Sequence, residues 1–183
     1  MPRTEQYREE FMRNLPRVLV RLADRCLDLP KVDSEHMEAT PVLESLYFRK
    51  EESVIEVQEL RDRTQEQFDE QERKIEAESQ RSTEPWWATE DDHDAGSPRF
   101  ESYLRDVAES EAEIKAKVQE MKPWRDRLRV QLAVIDEFLA KAAEKTFPGG
   151  PKDRLGRRPG APLPTTRELL DPTENVERFL GSE

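Results

Sequence analysis

The stretch that decides the fold is residues 100–142, FESYLRDVAESEAEIKAKVQEMKPWRDRLRVQLAVIDEFLAKA. Apolar side chains recur here in alternating steps of four and three, which is the spacing of one face of an α-helix. The rhythm includes Phe100, Leu104, Val107, Ile114, Val118 and Met121, and after the proline Leu128, Leu132, Ile135, Leu139 and Ala142. It keeps its phase across Pro123, so the sequence predicts one helix over 98–146 with a kink at the proline.

A second long helix is predicted over residues 41–81. Thr40 followed by Pro41 is a typical helix start, and neither glycine nor a further proline interrupts the chain up to Arg81. The loop between the two helices, residues 82–97, holds five acidic residues and no lysine or arginine. Two long helices joined by such a loop indicate an antiparallel hairpin.

The N-terminal segment predicts a third apolar face. Helical spacing runs over about residues 4–29, with a break at 14–16 where Asn14 is expected to cap a new helix and Pro16 to stand in its first turn. The predicted fold is therefore all-α: an elongated, coiled-coil-like antiparallel hairpin whose three-helix head is completed by the N-terminal helix. We expect one helical domain over 1–146.

The C-terminal segment, residues 147–183, is predicted to be a flexible tail. A linker rich in proline and glycine extends to Thr166, and Asp171-Pro172 then resembles the start of a short amphipathic helix. Val176, Phe179 and Leu180 lie on one face of that helix. We predict partner binding through this element, including Leu169 and Leu170; folding back onto the head and plain disorder are the alternatives.

The acidic loop offers a second candidate surface, because Trp86 and Trp87 are adjacent there. Exposed tryptophans are frequent anchors at protein interfaces, although both rings could instead cover the end of the hairpin. Arg13, Arg17, Arg21 and Arg25 form a basic ridge, which we interpret as a set of ion-pairing residues in preference to a phosphate site.

Composition limits the function. Only 34% of residues are hydrophobic, 39% are charged, and the net charge is −11, which argues against nucleic-acid binding. No apolar stretch is long enough to enter a membrane, and the polar N-terminus shows no signal peptide, so we expect an intracellular protein, cytoplasmic or nuclear.

Catalytic motifs are not recognisable. The histidines are His36 and His93, and Glu90-x-x-His93 lies in a loop, so a metal enzyme is the weakest hypothesis. We expect no catalytic residue, cofactor, metal or small-molecule substrate. The leading hypothesis is a non-catalytic scaffold subunit whose partners are other, mainly helical, protein subunits. The alternative is an acidic adaptor or chaperone that binds a basic protein.

Overall fold

A computed structural model describes residues 3–27, 29, 41–145 and 172–181, with side chains for 45–145 and 176–181 in the last two ranges. Every regular element in these ranges is helical, and none of them contains a strand. The helices are α1 (Arg3–Arg13), α2 (Arg17–Leu27), α3 (Pro41–Ser79), α4 (Phe100–Ala143) and α5 (Pro172–Leu180), with a short 3₁₀ turn at Glu90–His93. The predicted all-α class is confirmed.

The break between α1 and α2 falls where the sequence predicted it, but its chemistry differs. Pro16 precedes the first helical residue, and its carbonyl oxygen accepts a hydrogen bond of 2.9 Å from the Leu19 amide. The side-chain amide of Asn14 donates to the Glu10 carbonyl at 3.2 Å. The Asn14 side chain therefore satisfies a backbone carbonyl in the last turn of α1. The prediction that it caps α2 is wrong.

The two long helices end close to their predicted limits. α3 ends at Ser79, two residues before the predicted end, and α4 runs from Phe100 to Ala143 with Pro123 inside it. α4 continues through Pro123, although a proline inside a helix has no amide hydrogen to donate. The predicted linker at 147–166 lies outside the described residues.

The chain forms two compact units. The first contains residues 1–65 and 130–183, and the second contains residues 66–129. Both divisions fall inside α3 and α4, so each of these helices contributes to both units. The apolar residues of both helices thin out near these divisions: α3 has only Phe68 and Ile75 as large apolar residues after Leu60, and α4 is richest from Leu128 onward.

Most of the described apolar core belongs to the first unit. Its buried residues come from α2, α3, α4 and α5, and are Leu19, Leu22, Ala23, Cys26, Val57, Val134, Ile135, Phe138, Ala142, Val176 and Phe179. α2 has its buried residues at steps of three, one and three, which is the narrow stripe expected of an amphipathic helix. The unit therefore has a continuous core to which four helices contribute.

Polar contacts tie the helices of the first unit together around that core. Side-chain ion pairs join Arg8 to Glu137 at 2.7 Å, Arg21 to Glu56 at 2.7 Å, and Arg61 to Asp136 at 2.6 Å. Lys50 is 3% exposed, and its ammonium group donates to the Lys145 carbonyl at 2.8 Å, beyond the last residue of α4. These contacts join α1 to α4, α2 to α3, and α3 to α4 and the residues that follow it.

The second unit has a much thinner apolar interior. Its buried apolar residues among those described are Ile114, 7% exposed, and Leu128, 0% exposed. Polar contacts link its two helical stretches instead: the Gln71 amide donates to the Met121 carbonyl at 3.2 Å, and Lys117 lies 3.8 Å from Glu78. The packing of the second unit therefore depends on polar side-chain contacts that are accessible to solvent.

Candidate protein-binding loop

The loop that joins α3 to α4 is a series of hydrogen-bonded turns. Backbone amides donate to carbonyls three residues earlier, from Ala88 to Pro85 at 3.0 Å and from Ser97 to Asp94 at 2.9 Å. The last of these turns leads into α4, where the Phe100 amide donates to the Ser97 carbonyl at 3.2 Å. The backbone thus has a defined path over residues that the sequence predicted only as a loop.

Asp92 organises the centre of this loop. It is 6% exposed, and one carboxylate oxygen accepts hydrogen bonds from the Thr89 hydroxyl at 2.8 Å and the Thr89 amide at 3.1 Å. The other oxygen accepts from the Ser97 hydroxyl at 3.3 Å. These bonds, chiefly the one from the Thr89 side chain, lower the pKa of Asp92 because they stabilise its ionised form.

The two tryptophans have different surroundings. The Trp87 indole N–H donates to the Asp106 carboxylate at 3.2 Å, and its ring is partly covered. Trp86 is 96% exposed. The sequence analysis grouped the two tryptophans as one candidate surface. In the structure Trp87 is hydrogen-bonded to Asp106 of α4, whereas the Trp86 ring is exposed to solvent.

His93 supports the loop through its ring. The imidazole stacks on Tyr103 of α4, with ring centroids 4.7 Å apart and planes inclined by 28°. Its Nε2 lies 3.3 Å from the Glu84 carboxylate. No group of three or more potential ligands is placed to hold a metal ion within the ranges that the structure describes; His36 lies outside those ranges.

The remaining acidic residues of the loop face solvent. Glu84, Glu90, Asp91 and Asp94 are all exposed, and no lysine or arginine occurs between residues 82 and 97. Asp92 is the exception, because its carboxylate turns inward. Trp86 thus belongs to a loop with four exposed carboxylates.

The C-terminal anchors lie in the first unit. Val176 is 1% exposed and Phe179 is 6% exposed, both within the core cluster, and Leu180 is half-buried against it. The Phe179 ring lies 5.5 Å from the ring of Phe138. In this structure α5 packs against α2 of its own chain, which was one of the alternatives in the sequence analysis. Leu169 and Leu170 lie outside the described residues.

The basic ridge on α1 and α2 is largely paired. Arg21 pairs with Glu56 at 2.7 Å, and Arg25 donates to the Ser53 hydroxyl at 2.7 Å and lies 3.8 Å from Glu52. Arg13 lies 3.4 Å from Glu9. The interpretation of these arginines as ion-pairing residues agrees with the contacts of Arg13, Arg21 and Arg25.

The solvent exposure of two apolar side chains of α4 could not be predicted from the sequence. Trp124 is 47% exposed, and Leu104 is 49% exposed on the same helix. Cys26 of α2 is a buried free thiol, and burial raises its pKa to about 11, which keeps it protonated at neutral pH. The inward role of Asp92 had a signal, because Thr89-x-x-Asp92 has the spacing of a capping box.

Comparison with known protein families, with characterised proteins and with solved structures gives no match to this chain. Among the described helices, none is both long enough and apolar enough to cross a membrane.

Proposed function

We propose that this chain is a non-catalytic scaffold protein that binds another protein through residues 82–97, with Trp86 as the central anchor. The observation that carries the proposal is the 96% exposure of Trp86 beside Trp87, whose indole is hydrogen-bonded to Asp106. A large apolar ring in water is unfavourable for an isolated chain and becomes favourable once a partner covers it.

Preorganisation supports this role. Trp87 is attached to Asp106, and Asp92 holds both Thr89 and Ser97. A partner that covers Trp86 therefore does not have to order the loop first, so less of the binding free energy is lost to conformational entropy. Tryptophan residues in such positions commonly contribute 2 kcal/mol or more to binding, by the usual measure of truncation to alanine.

The arrangement proposed for the helices is an antiparallel α3–α4 hairpin, with α2 completing a three-helix head. Within residues 66–129, two contacts support the antiparallel arrangement. Gln71 contacts Met121, whereas Arg81, which follows α3, contacts Glu113, a residue nearer the start of α4. Within the first unit, Arg61 pairs with Asp136 and Lys50 with the carbonyl of Lys145, in the same order.

A helical partner is supported by the thin interior of the second unit. A groove there is formed by the end of α3 and by α4, with Ile114 and Val118 along it and charged residues, including Arg81, Glu111 and Lys115, around it. A partner helix with a matching apolar stripe would complete the packing of such a groove. An intracellular location remains a prediction from the sequence.

The test compares two exposed tryptophans of the second unit. A partner that co-purifies in stoichiometric amount is identified, and its crosslinks are mapped to residues 82–97. The affinity of that partner is then measured for wild type, Trp86→Ala and the matched control Trp124→Ala. We expect at least a tenfold loss for Trp86→Ala and less than a twofold change for Trp124→Ala. Unchanged affinity of Trp86→Ala would refute the proposal.

A second candidate function is an acidic adaptor for a basic protein, which the four exposed carboxylates of the loop favour. Such binding weakens as salt concentration rises, because screening acts on exposed charges. The triple variant Glu90→Gln, Asp91→Asn, Asp94→Asn leaves Asp92 in place and tests this directly. A smaller salt dependence in the triple variant supports the adaptor, whereas an unchanged one favours the tryptophan-centred scaffold.

A further inference from the structure

The face of α4 that lines the groove of the second unit has the spacing of a helix-packing surface. α4 contributes residues in steps of three, one, three, one and three, namely Glu111, Ile114, Lys115, Val118, Gln119 and Lys122. The other lining residues belong to the end of α3 and the residues after it, and the groove has a volume of about 310 Å³. A stripe with this spacing is one face of an α-helix, and a second helix can pack along it.

The charged residues around the groove are mainly basic, although the chain as a whole is acidic. Arg81, Lys115 and Lys122 line the groove together with one acidic residue, Glu111, whereas the whole chain has 41 acidic and 30 basic residues. Lys115 lies 3.4 Å from Glu111 of its own helix. Lys122 is half-buried and forms no ion pair with any residue that the structure describes. The groove therefore has a positive charge that an acidic occupant would neutralise.

We propose that this groove binds an acidic amphipathic helix of another protein. Lys115 and Lys122 occupy the same position of successive heptads, seven residues or about 10 Å apart along α4. Residues that flank the apolar stripe of packed helices pair with opposite charges on the facing helix. The occupant thus has an aliphatic stripe that packs on Ile114 and Val118, and beside it two carboxylates seven residues apart.

This inference rests on the proposed scaffold function, because it specifies the chemistry of the helical partner. The groove and the candidate binding loop are continuous, since Thr83 lines the groove and also belongs to residues 82–97. A partner that covers Trp86 can therefore place a helix in the groove as well. The basic groove and the acidic loop then contact regions of opposite charge on that partner, which favours one orientation of the complex.

Another protein suits the groove better than a second copy of this chain does. Residues 66–79 of α3 resemble the occupant in charge, with six acidic and two basic residues. Their large apolar side chains, Phe68 and Ile75, are half-buried within their own unit. These side chains would have to leave that packing before they could enter the groove of a second copy.

The test uses a fluorescent, helix-forming peptide of three heptads, titrated into the full-length protein at low ionic strength. The peptide has leucine along one face and glutamate beside it at intervals of seven residues, and a control peptide has lysine in place of each glutamate. We expect wild type to bind the glutamate peptide and not the lysine peptide. The double variant Lys115→Glu, Lys122→Glu should reverse this preference, because it exchanges the sign of both flanking charges.

The matched control is Lys74→Glu, which makes the same change in net charge as Lys122→Glu does. Lys74 is an exposed residue of α3 in the same unit and does not line the groove. We expect Lys122→Glu to weaken the glutamate peptide by about fivefold and Lys74→Glu by less than about twofold. Lys122→Gln gives the same comparison if Lys122→Glu lowers the helical circular dichroism. Trp86→Ala should bind the peptide as wild type does, so failure of the groove and failure of the binding loop are distinguishable.

Three results would overturn the proposal: no binding of the glutamate peptide to wild type, equal binding of both peptides, or equal losses for Lys74→Glu and Lys122→Glu. Two further results would overturn it by assigning the groove to another occupant. Dimerisation of wild type at micromolar concentration, abolished by Lys122→Glu, would indicate a second copy. Saturable binding of decanoate that displaces the peptide would indicate a small amphipathic anion.

Discussion

Phe138 is the aromatic residue of α4 that lies against α5 in the first unit. It is 0% exposed, within the core cluster that includes Leu22 and Val134. We expect Phe138→Ala to lower the free energy of unfolding by about 3–5 kcal/mol, because it removes buried apolar contacts and leaves a cavity. Urea denaturation monitored by circular dichroism measures this loss.

Trp86→Ala is the matched comparison for that variant, since both replace a large aromatic side chain by alanine. Trp86 is 96% exposed, so its removal should change the free energy of unfolding by less than about 0.5 kcal/mol. A large loss for Trp86→Ala would mean that the ring packs against the chain in solution, and the proposed binding loop would lose its anchor.

Asp92 gives the loop a predicted pH dependence. Its pKa is lowered by the hydrogen bonds from Thr89 and Ser97, so the ionised carboxylate favours the folded loop. This stabilisation is present above the ordinary aspartate pKa of about 3.9 and is lost as pH falls through the lowered pKa of the folded state. Tryptophan fluorescence should therefore report loosening of the loop below pH 4.

The control for this effect is the neighbouring carboxylate. Asp92→Asn should abolish the fluorescence change between pH 6 and pH 2, and Asp91→Asn should leave it intact, because Asp91 is exposed. Titration of the Asp92 side chain by NMR gives the pKa itself. A value at or above about 3.9 would contradict the assigned hydrogen bonds.

At the scale of the elements, α4 shows what the sequence can and cannot predict. The phase of apolar residues on either side of Pro123 predicted one continuous helix, because side-chain periodicity is a local property. The docking of α5 depends on Phe138 meeting Phe179, a contact between residues far apart in the chain, and no local pattern distinguishes it from binding in a partner. The loop is a similar case, because no local pattern predicts that Trp87 hydrogen-bonds to Asp106 while Trp86 stays exposed.

Pro123 itself offers a test at this scale. It lies inside α4, where a proline removes one amide hydrogen bond and typically costs about 3 kcal/mol relative to alanine. We expect Pro123→Ala to raise the free energy of unfolding by about 1–3 kcal/mol, measured by urea denaturation. A decrease would indicate that the geometry imposed by the proline is required for packing within residues 66–129.

For the whole molecule, the division into two units predicts unequal local stability. The described core of the first unit includes eleven buried residues, whereas Ile114 and Leu128 are the buried apolar residues described in the second. Local opening is governed by how much apolar surface must be exposed, so amides of residues 66–79 and 100–121 should exchange faster than those of α2 and of residues 130–142. Hydrogen exchange followed by mass spectrometry resolves these segments.

Paired core substitutions separate this explanation from simple fraying. Ile114→Ala should accelerate exchange within residues 66–129, and Val134→Ala within the first unit, if each unit opens around its own apolar residues. Because α3 and α4 continue through both units, the alternative is that they open as whole helices. In that case either substitution would accelerate exchange along their full length, and the two units would have to be regarded as one cooperative structure.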